Sequence, residues 1–322
     1  MKKVYLLAII CIAIVSCNND DQTAVNSNAT NKKKEVLDFP SYEMMDKKID
    51  EITSIKEKME NTTSQKYTSK NFLNKSSNTK FNILEELKKY HTDRLKDIYQ
   101  LRNDLNFISI QSIADEINSL KVIDPIKANE LFKKHQKFLE SNEFEITTIF
   151  ENQTSNVINE NGQILINSIP INFKNSDSKN LTGKYLYDEN IQTGLVAMKG
   201  YENLNFVVRY NTGREKHKDD FGRVFFRYFS ELQGFLVDSN NMSAFCPAIF
   251  TMSNNSIAGF SQSGDNPFAE FAFSMPYPSG SGFMIRNTSD QKWTAYQTEG
   301  GYIKGTAVFG DITVSCDFKY TK

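Results

Sequence analysis

Ile312-Thr313-Val314-Ser315-Cys316-Asp317-Phe318-Lys319-Tyr320 alternates apolar and polar residues without a break. A period of two is that of a half-buried strand, because successive side chains point to opposite sides of a pleated backbone. The stretch closes a region, from Leu181 onward, that holds all but one of the 15 glycines and 25 of the 39 aromatic residues. Glycine punctuation among aromatic and β-branched residues favours short strands joined by turns. The spacing predicts strands at 194–199, 204–210, 224–229, 234–238, 248–252, 268–273, 282–286, 292–297, 301–309 and 313–320. Many short strands at such intervals point to an antiparallel sandwich or an open barrel.

Upstream the pattern changes. Residues 39–150 contain no glycine and are rich in Lys, Glu, Leu and Ile, which favours helix. Ser41 after Pro40 is a candidate N-cap, and Met45, Ile49, Ile52, Ile55 and Met59 follow at helical spacing. The polar run 61–80 is expected to break that helix. A longer helix is expected over 82–108, with Leu84, Leu87, His91, Arg94, Ile98, Leu101, Leu105 and Ile108 on one seam. The seam suits either packing inside a bundle or a coiled-coil partner. A third helix is expected over 111–120. Asp124-Pro125 then supplies an N-cap and an N1 proline for a fourth, reaching about 141, with Ile126, Leu131, Phe132, His135 and Leu139 inward. The chain is thus read as α+β: an N-terminal helical region followed by an antiparallel β-sandwich-like C-terminal domain. The boundaries are 39–150 for the helices, 151–180 for a junction and 181–322 for the β-rich domain.

The junction holds Val157-Ile158-Asn159-Glu160-Asn161-Gly162-Gln163-Ile164-Leu165-Ile166. Asn-Gly favours a type I′ turn, where both residues need positive φ, so a β-hairpin is expected across it. A helical segment, this N-E-N-G-x-I-x-I phrase and a β-rich end together resemble large families of Bacteroidetes surface lipoproteins. The resemblance covers residues 39–173 loosely and brings no established activity with it.

The N-terminus points the same way. Lys2 and Lys3 precede an apolar run, 4–15, that is too short for the roughly 20 residues of a membrane span and reads as an export signal. Ile14-Val15-Ser16-Cys17 resembles a lipoprotein lipobox. The resemblance implies cleavage before Cys17, removing residues 1–16, and lipidation of the Cys17 thiol. More than one acyl chain gives stable anchoring without spanning. Asp20-Asp21 resembles the surface-export signal of Bacteroidetes lipoproteins, so the expected location is the outer membrane, facing the cell surface, with its periplasmic face as the alternative. Residues 17–38 are polar and carry Lys32-Lys33-Lys34, the composition of a disordered tether.

Composition excludes some partners. With 38 basic and 39 acidic residues the chain has no electrostatic case for nucleic acid. Of its four cysteines, Cys11 leaves with the signal and Cys17 carries lipid. Cys246 and Cys316 remain as a candidate disulfide in an exported protein, or as two buried free thiols.

Chemistry is sparse. The zinc-protease, Walker, dinucleotide and EF-hand patterns are absent, and no cofactor or metal is expected. His91 and His135 fall on helix faces and read as structural. Residues 214–220, Arg-Glu-Lys-His-Lys-Asp-Asp, read as a solvated loop in which His217, Asp219 and Asp220 are a minor candidate cluster. Arg209, Arg223 and Arg227 flank it, either as a basic ligand site or as partners of Glu231 and Asp238. Gly259-Phe260-Ser261-Gln262-Ser263 departs from the G-x-S-x-G elbow at its last position, and its surroundings are not those of an α/β hydrolase. Trp293, Tyr296 and Tyr302 are a candidate platform for a sugar, although aromatics in strands more often fill cores. The reading is a lipid-anchored lipoprotein with a non-enzymatic role, binding a glycan or protein ligand. A hydrolase acting on glycans or peptides and an adhesion component assembling through its helices are the alternatives.

Overall fold

The computed structural model describes residues 36–68, 83–142, 144–150, 152–172, 195–201, 203–218, 224–238, 243–262, 271–292 and 296–321. Cys17, Arg223 and Trp293, with Asp219 and Asp220, lie outside them.

A two-residue strand, β1 (Asp38–Phe39), leads into helix α1 (Tyr42–Thr68). Ser41 caps it: the Ser41 hydroxyl accepts the Met44 amide at 3.3 Å. The helix does not stop at Asn61 as the polar run suggests. Hydroxyls that compete with the backbone in isolation find partners here. Thr62 and Thr68 donate back to the carbonyls of Lys58 and Ser64. The buried Thr63 and Ser64 donate to Asp97 and Glu60.

Helix α2 (Ile83–Leu105) ends at Asn106, whose φ is +49°. Its buried stripe, Leu87, His91, Arg94, Ile98 and Leu101, is covered within the chain by α1, by α3 (Ile110–Ile123) and by the β-strands. Ser109 caps α3 and Asp124 caps α4 (Pro125–His135), with Pro125 in the first turn. Helix α4 is shorter than expected. A 3₁₀ turn at Gln136–Phe138 leads into β2 (Leu139–Ser141), which pairs antiparallel with β3 (Ile146–Thr148). Ile126, expected inside, is 74% exposed, and Ala128 and His135 take the buried face.

The junction hairpin lies one strand further on than expected. Val157 and Ile158 are fully buried but are not a strand arm. Asn159 organises the turn: its side-chain oxygen accepts the amides of Asn161 and Gln163. Gly162 has φ +73°, and a Cβ there would meet the Phe138 ring at 2.5 Å, so glycine is required for two reasons. The hairpin itself joins β4 (Gln163–Ile166) to β5 (Ile169–Asn172) through Asn167 and Ser168, at φ +52° and +61°. β1 adds to β4 in parallel.

The remainder is two antiparallel sheets. The first runs β14 (Met284–Lys292), β8 (Val224–Asp238), β7 (Leu204–Lys218), β6 (Leu195–Tyr201), with β9 (Ser243–Phe245) also on β8. The second runs β12 (Phe271–Pro276), β11 (Ile257–Gln262), β15 (Tyr296–Phe309), β10 (Ala248–Met252), β13 (Gly280–Gly282), with β16 (Ile312–Thr321) on β15. The molecule is therefore α+β, helices followed by an antiparallel β-rich region. The opening stretch does alternate: Val314 and Cys316 are buried while Ser315 and Asp317 are exposed.

Two expectations fail at β7 and β8. The charged run 214–218 is strand and not loop, in register with Val224 to Tyr228. The Arg214 guanidinium lies 5.2 Å over the Phe226 ring, so its charged head rides on apolar cover. The predicted strands 224–229 and 234–238 are one strand. The polar residues between them are buried but satisfied: the Ser230 hydroxyl donates to the Pro276 carbonyl at 2.7 Å, and Asn211 donates to Glu231 at 3.0 Å.

The sheets meet through aromatics, Phe206 with Phe309 at 5.1 Å and Tyr228 with Phe260 at 4.9 Å between centroids. Burying each such side chain contributes about 1.5–3 kcal/mol. Phe235 stacks on Phe144 and Phe245, and Phe245 in turn meets α2, so the first sheet also packs against the helices.

Candidate functional site

Helices α1, α2 and α3 do not close completely. They leave a narrow cleft that is partly open to solvent. Ile52, Lys56, Met59 and Glu60 come from α1 at spacings of four, three and one, so they share one face. Arg94, Asp97, Ile98, Leu101, Arg102 and Leu105 do the same on α2. Ser112 and Asp115 of α3, with Asn156, complete the polar floor.

Each charged pair here is built across elements. The Lys56 ammonium donates to Asp115 Oδ2 at 2.8 Å and to Asn156 Oδ1 at 3.2 Å. Arg102 spends its fork on α3: Nε to Ser112 Oγ at 2.9 Å, Nη1 to Glu116 Oε2 at 2.6 Å and Nη2 to the Ser112 carbonyl at 2.7 Å. The Glu60 carboxylate accepts from Tyr90 at 2.5 Å, Ser64 at 3.0 Å and Arg94 Nε at 3.1 Å. Asp97 accepts from Thr63 at 2.5 Å.

Burial works against these charges and their partners overcome it. Burial pushes the Asp115 carboxyl up, but Lys56 and Arg94 hold it below the ordinary carboxylate value. Burial pushes Arg94 down, but Glu60 first, then Tyr90 and Asp115, keep it above the usual arginine value.

Arg94 is the exception to full satisfaction. Its guanidinium lies 4.3 Å over the Phe283 ring and 5.4 Å over Phe245, and its side chain is 6% exposed. Nε is taken by Glu60, but Nη1 is buried and has no hydrogen-bond partner. A buried donor left unmade costs about 1–3 kcal/mol, more when charged.

Among the described residues singled out from sequence, Arg209 and Arg227 are not brought together. Arg209 and Arg227 stand six register positions apart along the β7–β8 ladder, about 20 Å. Arg209 pairs with Glu145 and Gln233 between the Phe144 and Phe235 rings. Glu231 instead takes Asn211, with Arg286 at 3.9 Å. Arg227 reaches Asp50 of α1 at 3.3 Å. The Tyr302 hydroxyl donates to Asp317 at 2.9 Å, and a β-bulge shifts the β11 pairing of β15 between Tyr302 and Tyr296.

The candidate Cys246–Cys316 bridge is not formed. Both are buried free thiols. Burial pushes Cys246 up to about 12, and Cys316 Sγ sits 3.8 Å from the Gly305 carbonyl in its own sheet. Ser261 lies in β11 between two antiparallel neighbours, not on a strand-to-helix elbow. Among the described residues no three His, Cys, Asp or Glu side chains come together as a metal site. No described helix is long and apolar enough to cross a membrane. His91 and His135 are buried structural residues, as expected from their helix faces.

The sequence reading missed Lys56, Glu60 and Asp115. Of the cleft's polar lining it named only Arg94, on a seam that also carries His91.

No family model matches the chain, and no curated protein matches it. Among solved structures, the chain is similar to a DUF4848 family protein from Bacteroides thetaiotaomicron, with 9% identity over 89% of this chain and 97% of that one. The TM-score is 0.21, too low to guide fold or function.

Proposed function

We propose that this chain is a lipoprotein anchored through Cys17 in the outer membrane and displayed at the cell surface, with a folded part that binds a ligand without converting it. The observation that carries the binding role is the interhelical cleft, where the buried Arg94 guanidinium keeps one donor unanswered. The shifted ionisable groups that line it, Asp115 and Arg94, are pushed away from neutrality, the opposite of what a proton-transferring acid or base needs. The sequence of residues 1–21 supports the anchor and the surface location.

Palmitate labelling of cells expressing the full chain tests the anchor: label is expected on the natural chain and not on Cys17→Ala. Protease added to intact cells is expected to degrade it, and full protection would move it to the periplasmic face. Turnover of chromogenic glycosides or peptides by the purified chain would replace the binding role with a hydrolase.

A further inference from the structure

We propose that the face formed by Pro40, Met44, Ile169 and Pro170, beside the point where the chain enters the fold, rests against the surface of a lipid bilayer, so that the anchored body lies on the membrane; this rests on the lipid anchor proposed above and adds an orientation to it.

The first strand assembles that face. Asp38 of β1 accepts from the Ser168 amide at 3.0 Å and from the Ser168 hydroxyl at 2.8 Å, and the Asn167 amide donates to the Phe39 carbonyl at 2.7 Å. These bonds hold the tip of the β4–β5 hairpin beside β1, and Pro40 leads from β1 toward α1. What stands in solvent there is apolar. Ile169 is 64% exposed and Met44 47%, among the most exposed large apolar side chains of the described residues, and Pro40 and Pro170 are exposed with them. Scattered exposed apolar residues are ordinary, but several gathered at one end mark a contact with protein or lipid. The charged neighbours are engaged: Asp38 by Ser168, and Glu43 by Lys47 at 2.8 Å.

Position selects lipid. From Val36, where the described body begins, to the end of β1 is about 10 Å. Cys17, where the proposed acyl chains enter the bilayer, stands 19 residues before Val36. That much chain spans at most about 65 Å, so the bilayer is always within reach of this face. Tethering raises its effective concentration there, and short apolar side chains insert at the headgroup boundary.

A fluorescent dye on one introduced cysteine reads the contact. The full lipidated chain is reconstituted in phosphatidylcholine vesicles that carry a 5-doxyl lipid, which quenches just below the headgroups. Cys246 and Cys316 are buried and are not expected to take the dye. Labels on Ile169→Cys and Met44→Cys are expected to lose more than half of their emission. A label on Ser315→Cys, at an exposed position of β16, is expected to keep it. The loss is expected to persist in about 0.5 M salt, which screens charges but not apolar contact. Ile169→Asp is expected to restore emission at Met44→Cys, with the fold retained because the side chain is exposed. Bright labels at both positions, equal quenching at Ser315→Cys, or quenching lost in salt would each overturn the docking face. So would shielding without quenching that vanishes at one chain per vesicle, the mark of a second copy. Cys11→Ser with Cys17→Ala, held to nickel-chelating lipid by an N-terminal histidine tag, repeats the test without acyl chains. Quenching there with no palmitate on the natural chain would sink the anchor and leave the face. Palmitate without quenching would sink the face and leave the anchor.

Discussion

His91 of α2 and the Phe245 carbonyl of β9 lie 2.9 Å apart from Nε2 to oxygen, both fully enclosed, and this bond ties the helices to the first sheet. A carbonyl only accepts, so Nε2 carries the proton and Nδ1 is bare, with no partner. Burial first, then Arg94 nearby, lowers the imidazole to about 3.

Burial of that imidazole makes stability depend on pH. Between pH 6.5 and about 3 the unfolded chain protonates this histidine and the folded one does not, so stability is lost as pH falls through that window. The full span is worth about 5 kcal/mol. Urea unfolding at pH 7, 5 and 4 is expected to show a steeper decline for the natural chain than for His91→Gln, which keeps a donor and has no charge to gain. Parallel declines would mean that His91 titrates normally.

Arg102→Lys keeps the charge but not the fork. Three bonds converge on a guanidinium that is 9% exposed, and an ammonium cannot reproduce their geometry. A loss of about 2–3 kcal/mol in chemical denaturation is expected, less than the roughly 3–5 kcal/mol of removing one charge of a buried pair outright. A loss under 0.5 kcal/mol would make the pair decorative.

Gly234 leaves no room for a Cβ. The atom would stand 2.5 Å from the Cys246 carbonyl oxygen and 2.9 Å from the Phe309 ring, and the first is backbone that cannot swing aside. Gly234→Ala is expected to cost about 1–3 kcal/mol and to lower the Tm. An unchanged Tm would show that β8 and the chain after β9 can separate freely.

Iodoacetamide followed by mass mapping, without reductant, checks the thiols. Cys246 and Cys316 are expected to resist in the folded chain and both to alkylate in denaturant. A linked Cys246–Cys316 peptide would contradict the structure.

The sequence carried the fold class because both periodicities are local. The two-residue alternation from Ile312 and the helical spacing from Met45 each need only one face buried. Element ends were less legible where a distant partner decides them. Thr63 stays helical because Asp97 of α2 sits opposite, and Glu231 stays in a strand because Asn211 holds it. Neither partner is near in sequence. The cleft was harder still. Lys56, Glu60 and Asp115 look like ordinary solvated helix charges until three helices converge on them. Arg209 and Arg227 were grouped because the chain places them 18 residues apart, but the ladder sets them at different heights.

The short strand β1 has a mechanical meaning. Any tension carried along the chain ahead of Leu37 enters the folded body there. It is met by the pairing of β1 with β4, including bonds from the Leu165 and Asn167 amides to the Leu37 and Phe39 carbonyls, by the Asp38 carboxylate on Ser168, and by the buried Phe39 ring. These contacts stand between that entry point and α1, so a pull from the N-terminal side reaches them before it reaches a helix. By its position β1 is the first link in the line of load, ahead of every helix and of both large sheets.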